Sequence, residues 1–556
     1  MKISPLLFPL LLISAQTLAE EPILRAGIVT DTHVTSEKDS CRKLKYALEF
    51  FKKNKVDLVI NAGDIAHIFD PQAYKNYRQT VKEVFGKDVA PEEIFAYANH
   101  ERINRPKDDI NKVFQEVKQL LQIPHDPYAT RKIKGYTFVV VPQFVDMARY
   151  KTMLDKAARE NRGRPFFVID HAPPANTVFA SEGLDIPRRK LLDNYPDAVV
   201  ICGHKHNTLK SELAIWQGNF TVVNAGGMQR WRPFLTGTPW YALSSDMFLL
   251  LEVYPDKLLF RRISPQTGKE YKPCNIWNIP LPFDRKTAPY DPQKRKAAAI
   301  APQFAADAKV TAKVTPQGVI CNFPQARSRY GVYQYKFELF RKEKGILKRF
   351  ALFNRLGNFV SGDNNGRELL NIGLFTPEEN TLIKITPLDF WFNAGKAISV
   401  NVKVPIRAVT KSTIQFESKN IVRDCKIFVG TEKEVPVIDK ENFIHIPEGK
   451  ALRVIFPGNI WRGKAGTPYR FTVGMELKDS AEHNRFMVLQ NPDPRDAATG
   501  RILLPHGNAG KLRYVFDHSK REDDYNFFLT LTSAGAGKVR IHRIKSELLE
   551  KPESHH

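Results

Sequence analysis

Five short clusters of Asp, Asn and His occur in order within the first 206 residues, and each follows directly on an apolar run. Asp31-Thr32-His33 follows residues 23–29, Gly63-Asp64 follows 56–60, and Asn99-His100-Glu101 follows 94–98. Asp170-His171 follows residues 166–169, and Gly203-His204-Lys205-His206 follows 198–201. Runs of this kind read as strands buried on both faces of a parallel sheet. Helical patterns, such as residues 43–53 and 110–121, lie between them. Ligands of an open α/β sheet bind beyond the carboxyl ends of its strands, so this spacing predicts that the polar clusters converge on one rim. Residues 213–216, 221–223 and 248–253 then predict a second, more antiparallel sheet packed against the first.

Asp, Asn and His supply the oxygen and nitrogen ligands that first-row divalent metals prefer, and seven such side chains suffice for two ions sharing one carboxylate. Alone, His33 would more often be a core or surface residue, and Gly63-Asp64 a turn. Five clusters in order carry far more.

The series D-x-H, G-D, N-H-E, H and G-H-x-H resembles the calcineurin-like metallophosphoesterase superfamily over about residues 22–285. The resemblance implies a two-sheet α/β sandwich and assigns Asp31, His33 and His206 to a first metal. It assigns Asn99, His171 and His204 to a second, with Asp64 bridging the two. His100 would face the substrate, with Glu101 as its orienting partner. Two cations about 3.5–4 Å apart lower the pKa of a shared water and clamp the oxygens of a phosphoryl group. The nucleophile implied is a metal-bridging hydroxide, with His100 assisting the leaving group. The cofactors implied are two divalent ions drawn from Mn, Zn, Fe, Ni or Co. Phosphate monoesters and diesters both suit such a site, so phosphatase and phosphodiesterase remain open.

Two positions depart from the family pattern. Ala98 stands where members usually have glycine, and because alanine takes φ > 0 only at a cost, a rearranged turn is expected there. His67, three residues after Asp64, stands where purple acid phosphatases have a tyrosine. That argues against a tyrosinate-iron site and puts an imidazole in the surroundings of His100; otherwise His67, like His125 and His518, reads as an ordinary histidine. Arg102 and Arg105, and Arg230, Trp231 and Arg232 further on, are candidate substrate contacts. Guanidinium forks match phosphate oxygens and an indole stacks on a ring.

Residues 1–19 read as a secretory signal peptide: Lys2, an apolar stretch over 3–13, and the small-residue site Thr17-Leu18-Ala19. A secreted or periplasmic protein is expected. No later run is long and apolar enough to span a bilayer. The five cysteines, Cys41, Cys202, Cys274, Cys321 and Cys425, have neither paired nor metal-type spacing, so no disulfide framework is expected.

At 556 residues the chain exceeds one core. The expected order is a catalytic domain over 20–285, a linker or strap over 286–305, an immunoglobulin- or fibronectin-like β-sandwich over 306–410, a jelly-roll-like β-sandwich over 411–548, and a disordered tail over 549–556. Trp461 and Tyr525 are candidate aromatic contacts for carbohydrate or a cell surface in the last module. Of the net charge of +24, residues 21–290 carry +9 (40 Lys+Arg against 31 Asp+Glu) and residues 1–20 none, which leaves +15 beyond 290. Such a surface suits a phosphorylated small molecule or an anionic polymer, while sequence-specific nucleic-acid motifs are absent. The expectation is a secreted dinuclear-metal phosphoesterase. The alternative is a glycan- or surface-binding protein that uses the phosphoesterase domain as a scaffold.

Overall fold

The computed structural model describes residues 21–549 apart from loop segments, the longer of which are 179–185, 229–246, 271–275, 360–364, 406–411, 457–467, 479–484, 491–499, 505–509 and 520–527. The expected signal segment, Arg230, Trp231, Arg232, Cys274, Trp461, Tyr525 and the tail beyond 549 lie outside the described residues.

In chain order the first domain contains β1 (Leu24–Val29), α1 (Arg42–Lys53), β2 (Leu58–Asn61), α2 (Pro71–Phe85), β3 (Glu92–Phe95), α3 (Ile110–Leu121), β4 (Ala129–Ile133) and β5 (Tyr136–Val140). It continues with α4 (Met147–Glu160), β6 (Phe166–Ile169), α5 (Ile186–Leu192), β7 (Ala198–Cys202), β8 (Ile215–Gln217), β9 (Thr221–Asn224), β10 (Phe248–Val253), β11 (Lys257–Ser264), β12 (Lys269–Glu270) and β13 (Ile276–Pro280). The helices follow from local signals. α1 buries Leu44, Ala47, Leu48 and Phe51 on one stripe. α2 opens with the Asp70 carboxylate accepting from Gln72 N and with Pro71 at the first position. Asp109 caps α3 in the same way.

Two mixed sheets result, in the orders β12-β11-β10-β1-β2-β3 and β4-β5-β6-β7-β9-β8. Leu24, Ala26 and Ile28 of β1, Phe167 and Ile169 of β6 and Ile201 of β7 share the core between the sheets. Helices α1, α2 and α3 cover the outer face of the first sheet, and α4 covers that of the second. The layering is therefore α/β/β/α.

The polar clusters do converge, but the expected sheet membership is corrected. The strands that lead to His171 and His204 pair with β5 and β9 in the second sheet, while β10 returns to lie antiparallel to β1 in the first. An apolar run reports that a strand is buried on both faces but not which strand it pairs with, which is why the partition was not legible. The metal-type residues sit where the carboxyl ends of β1, β2 and β3 meet those of β6 and β7.

Beyond the catalytic domain, residues 284–305 carry α6 (Pro292–Ala298), capped by Asp291. The first β unit pairs a three-stranded sheet over Thr311–Thr315, Gly318–Pro324 and Asn365–Asn371 with a four-stranded one over Gln334–Glu343, Ile346–Leu356, Asn380–Leu388 and Ile398–Lys403. Two five-stranded sheets follow. Val319, Phe337 and Ile385 of the first unit belong to one apolar cluster with Val454, Val473 and Ile544 of the second, so the two units are packed together. Cys41, Cys202, Cys321 and Cys425 are free thiols.

Gly27 in β1 faces α1: a Cβ there would lie 2.5 Å from the Phe51 ring. Gly27→Ala is expected to lower unfolding stability by about 1–3 kcal/mol, read as a shift in the urea midpoint. An unchanged midpoint would mean that the helix and strand are not packed as described.

Candidate metal centre

Five of the seven candidate ligands have left-handed backbones: Asp31 (φ 49°), His33 (41°), Asp64 (52°), His204 (68°) and His206 (47°). None is glycine, so each is held against a cost of order 1–3 kcal/mol. The compensation is local. Beyond the ends of β1 and β2 the two loops remain hydrogen-bonded to one another, Asp31 N donating to Gly63 O at 3.0 Å, His33 N to Asp64 O at 3.0 Å and Val34 N to Ile65 O at 2.8 Å. On the other sheet Gly203 N donates to His171 O at 2.9 Å, and Asn224 Nδ2 donates to Gly203 O at 2.9 Å.

Two glycines are fixed by crowding. A Cβ on Gly203 would come within 1.9 Å of Thr30 Oγ1 and 2.4 Å of Asp31 Oδ2; one on Gly63, itself at φ 100°, would come within 2.6 Å of His171 Nδ1. Ala98 needs no special backbone: it is not among the positive-φ residues, and Asn99 after it is right-handed helical at φ −72°. The turn is thus made without the positive φ that alanine would resist.

The two carboxylates divide their oxygens in the same way. Asp31 Oδ2 accepts from Thr30 Oγ1 at 2.8 Å and His204 N at 3.0 Å, leaving Oδ1 buried without a hydrogen-bond partner, 3.2 Å from His206 Nε2 and 3.8 Å from His33 Nε2. Asp64 Oδ1 accepts from His100 N at 3.0 Å, and Oδ2 lies 3.1 Å from His171 Nε2 and 3.9 Å from both His33 Nε2 and His100 Nε2. His171 Nδ1 donates to Ala62 O at 2.7 Å, which turns Nε2 inward toward Asp64 Oδ2. His33 Nε2 and His206 Nε2 are 3.0 Å apart. Asn99 Oδ1 is also buried without a partner, while its backbone N donates to Gln143 Oε1 at 2.8 Å.

Ligand-bearing atoms therefore gather in two groups, Asp31-His33-Asp64-His206 and Asp64-His171-His204, each within 4.8 Å, with Asp64 common to both. Burial opposes charge throughout and holds the His33 and His204 imidazoles well below the usual histidine range. Burial also opposes charge at His171, but Asp64 and Asp31 outweigh it and raise that ring to about 10. Asp64 is held far below the usual carboxylate range because the His171, His33 and His100 rings outweigh its burial. Orphaned oxygens and imidazole nitrogens facing one another fit divalent cations with mixed oxygen and nitrogen ligation.

Residues 24–208 match the family model of the calcineurin-like phosphoesterases. These residues form a calcineurin-like phosphoesterase domain. Among solved structures the chain is similar to a dimetal phosphatase from Danio rerio, with 12% identity and a TM-score of 0.33 over 47% of this chain and 100% of that one. It is also similar to a predicted phosphoesterase from Streptococcus pneumoniae, with 12% identity and a TM-score of 0.23 over 46% and 97% of the two chains. No curated protein matches the sequence.

Within the phosphoesterase domain His100 sits at the rim. Its Nδ1 donates to the His67 carbonyl at 2.5 Å, which fixes the ring with Nε2 toward Asp64. His67 itself is exposed and belongs, with His33 and His100, to a third group of imidazoles. Glu101 does not orient His100 through any hydrogen bond described. It is fully buried and accepts from Ile65 N at 2.7 Å and Ala98 N at 2.8 Å, fastening the turn before Asn99 to the one after Asp64. Burial and the neighbouring Asp64 push its carboxyl up to about 7. Arg105 forks onto Glu116 at 3.0 and 3.2 Å and stacks on Phe69 at 4.8 Å, so its guanidinium is engaged in the domain's own structure. Arg102 lies half-buried on the same turn as His100.

Sequence reasoning passed over a buried brace. Arg188 Nη1 donates to both oxygens of Asp170 at 2.7 Å, and Nη2 donates to Gln143 O at 2.7 Å. The brace links the residue before His171 to the residue that holds Asn99. No motif marks Gln143 or Arg188, because their role depends on β5 and β6 being neighbours.

Glu101→Ala is expected to leave two buried N–H groups unsatisfied at about 1–3 kcal/mol each. Thermal unfolding and metal content should both fall. If Glu101 instead served His100, the variant would keep its metal and lose only turnover, as His100→Ala should.

Proposed function

We propose that this protein is a dinuclear-metal phosphoric ester hydrolase that acts after export from the cytoplasm. The carrying observation is that two convergent ligand groups share one carboxylate, Asp64, inside a phosphoesterase domain. In this reading Asp31, His33 and His206 hold one ion, Asn99, His171 and His204 hold the other, and Asp64 contacts both. Bound there, the ions would lower the pKa of a shared water and draw charge from the phosphoryl oxygens.

The chain's own residues supply the rest. Asp31 and Asp64 each commit one oxygen to backbone or hydroxyl donors, so the other is held in one direction without reorganisation. His100 presents Nε2 toward the Asp64 side, where it can hold a proton for a departing alkoxide. The half-buried Arg102 and the segment carrying Arg230, Trp231 and Arg232 are the proposed substrate contacts, in keeping with a phosphorylated or anionic substrate. Export rests on residues 1–19 of the sequence. No helix among the described residues is long and apolar enough to cross a membrane.

The experiment is hydrolysis of p-nitrophenyl phosphate and bis-p-nitrophenyl phosphate by chelator-stripped protein reloaded with Mn, Zn, Ni, Co or Fe. Turnover is expected only after reloading, and the preferred ester distinguishes phosphatase from phosphodiesterase. Asp64→Ala should lose both ions and all turnover. His100→Ala should keep both ions and lose about 10²–10⁴-fold in rate, most on poor leaving groups. Metal binding without turnover on any ester would favour the scaffold alternative.

A further inference from the structure

The segment that follows His206 is anchored by charges that belong to two other parts of the chain. Glu212, in a turn three residues beyond Leu209, is 3% exposed. Its Oε1 pairs with Arg262 of β11 at 2.9 Å and its Oε2 with Arg295 of α6 at 2.5 Å. Arg262 Nη1 also donates to Leu209 O at 3.0 Å, and Arg295 Nη1 donates to Glu212 O at 2.8 Å. Both guanidiniums are buried, Arg262 fully. The remaining faces of the cations are covered by aromatic rings: Arg262 lies 4.6 Å from Trp277, and Arg295 lies 4.4 Å from Trp391 of the first β unit. Leu213, next to Glu212, packs into the aromatic cluster of Tyr333, Phe390 and Trp391.

One buried carboxylate is thus shared by the catalytic sheet and by the strap, and the strap's arginine is capped by an accessory domain. Such a cluster tolerates little displacement, because a buried ion that loses its partner is strongly penalised. The backbone it fixes begins three residues after His206, the terminal residue of the histidine loop. A surface-docked module would not require its linker arginine to be 9% exposed and paired behind this loop.

We propose that the first β unit and its strap are a positioning device for the metal-binding histidine loop, with Arg295 transmitting their docking through Glu212. The proposal rests on the reading that His204 and His206 are ligands. Arg295 and Glu212 are positioning residues, because neither reaches the site itself. The histidine loop then holds its left-handed geometry only while the accessory domain is seated.

The test uses the full chain and Arg295→Gln, which leaves Glu212 and Arg262 as a balanced pair so that the catalytic core retains its internal neutrality. Hydrogen exchange of residues 203–213 is measured after chelator treatment, and Mn and Zn affinities by chelator competition. Exchange across 203–213 should rise, and metal affinity should fall by about 10–100-fold, first at the ion assigned to His206. Trp391→Leu, which removes the accessory domain's cap on Arg295 and trims its packing against Leu213, should shift both readouts in the same direction. Arg341→Gln, which breaks a half-buried pair with Glu343 in the first β unit, away from Arg295 and Glu212, should shift neither. Faster exchange confined to 286–305, with unchanged protection at 203–213 and unchanged metal affinity, would overturn the proposal and reduce the strap to a tether. If the wild-type chain takes up no metal, the hydrolase reading fails separately, while the exchange data still decide whether the strap holds the loop.

Discussion

The structure depends on one arrangement: two buried carboxylates, each with one oxygen committed to the chain and the other facing imidazole nitrogens. Asp31 and Asp64 lie fully or almost fully buried among His33, His171 and His206. Without positive charge beside them, the buried Asp31 Oδ1 and Asn99 Oδ1, which have no hydrogen-bond partner, would be costly. Cations of suitable size remove that cost, and the surrounding loops are built to keep the donors aimed at them.

The aiming is achieved by backbone strain spread over several short loops. Left-handed conformations at five ligands turn their side chains off the ends of β1, β2 and β7 into the seam between the sheets. The turns are tied to one another: the loops after β1 and β2 zip together, Glu101 joins the turns beside Asp64 and Asn99, and Arg188 joins those beside His171 and Asn99. A network of this kind makes the site a property of both sheets, because the turns that carry the candidate ligands are hydrogen-bonded to one another. The Glu212 cluster extends the same logic outward to the strap and the first β unit.

Much of this was legible in the chain. The apolar runs located β1, β6, β7 and β10, and the stripes of 43–53 and 110–121 located α1 and α3, because each element carries a strong local period. Asp31, His33, Asp64, His171, His204 and His206 were legible as candidates because each follows a strand end, and the structure gathers them in two groups. Sheet membership was not legible, since burial on both faces looks the same whichever strand lies alongside. The roles of Glu101, Gln143 and Arg188 were hidden for a related reason: they bind backbone groups that are distant in sequence. Glu101, adjacent to His100 in sequence, turns away from it toward Ile65 and Ala98.

Electron paramagnetic resonance of the Mn-loaded full chain tests the central claim most directly, because it reports ion count and separation without needing the substrate. Two Mn ions about 3.5–4 Å apart through Asp64 should give a spin-coupled spectrum at full loading, and the coupled signal should grow in as the second equivalent binds. A spectrum of isolated Mn at every loading, or the absence of any protein-bound Mn, would contradict a carboxylate-bridged pair.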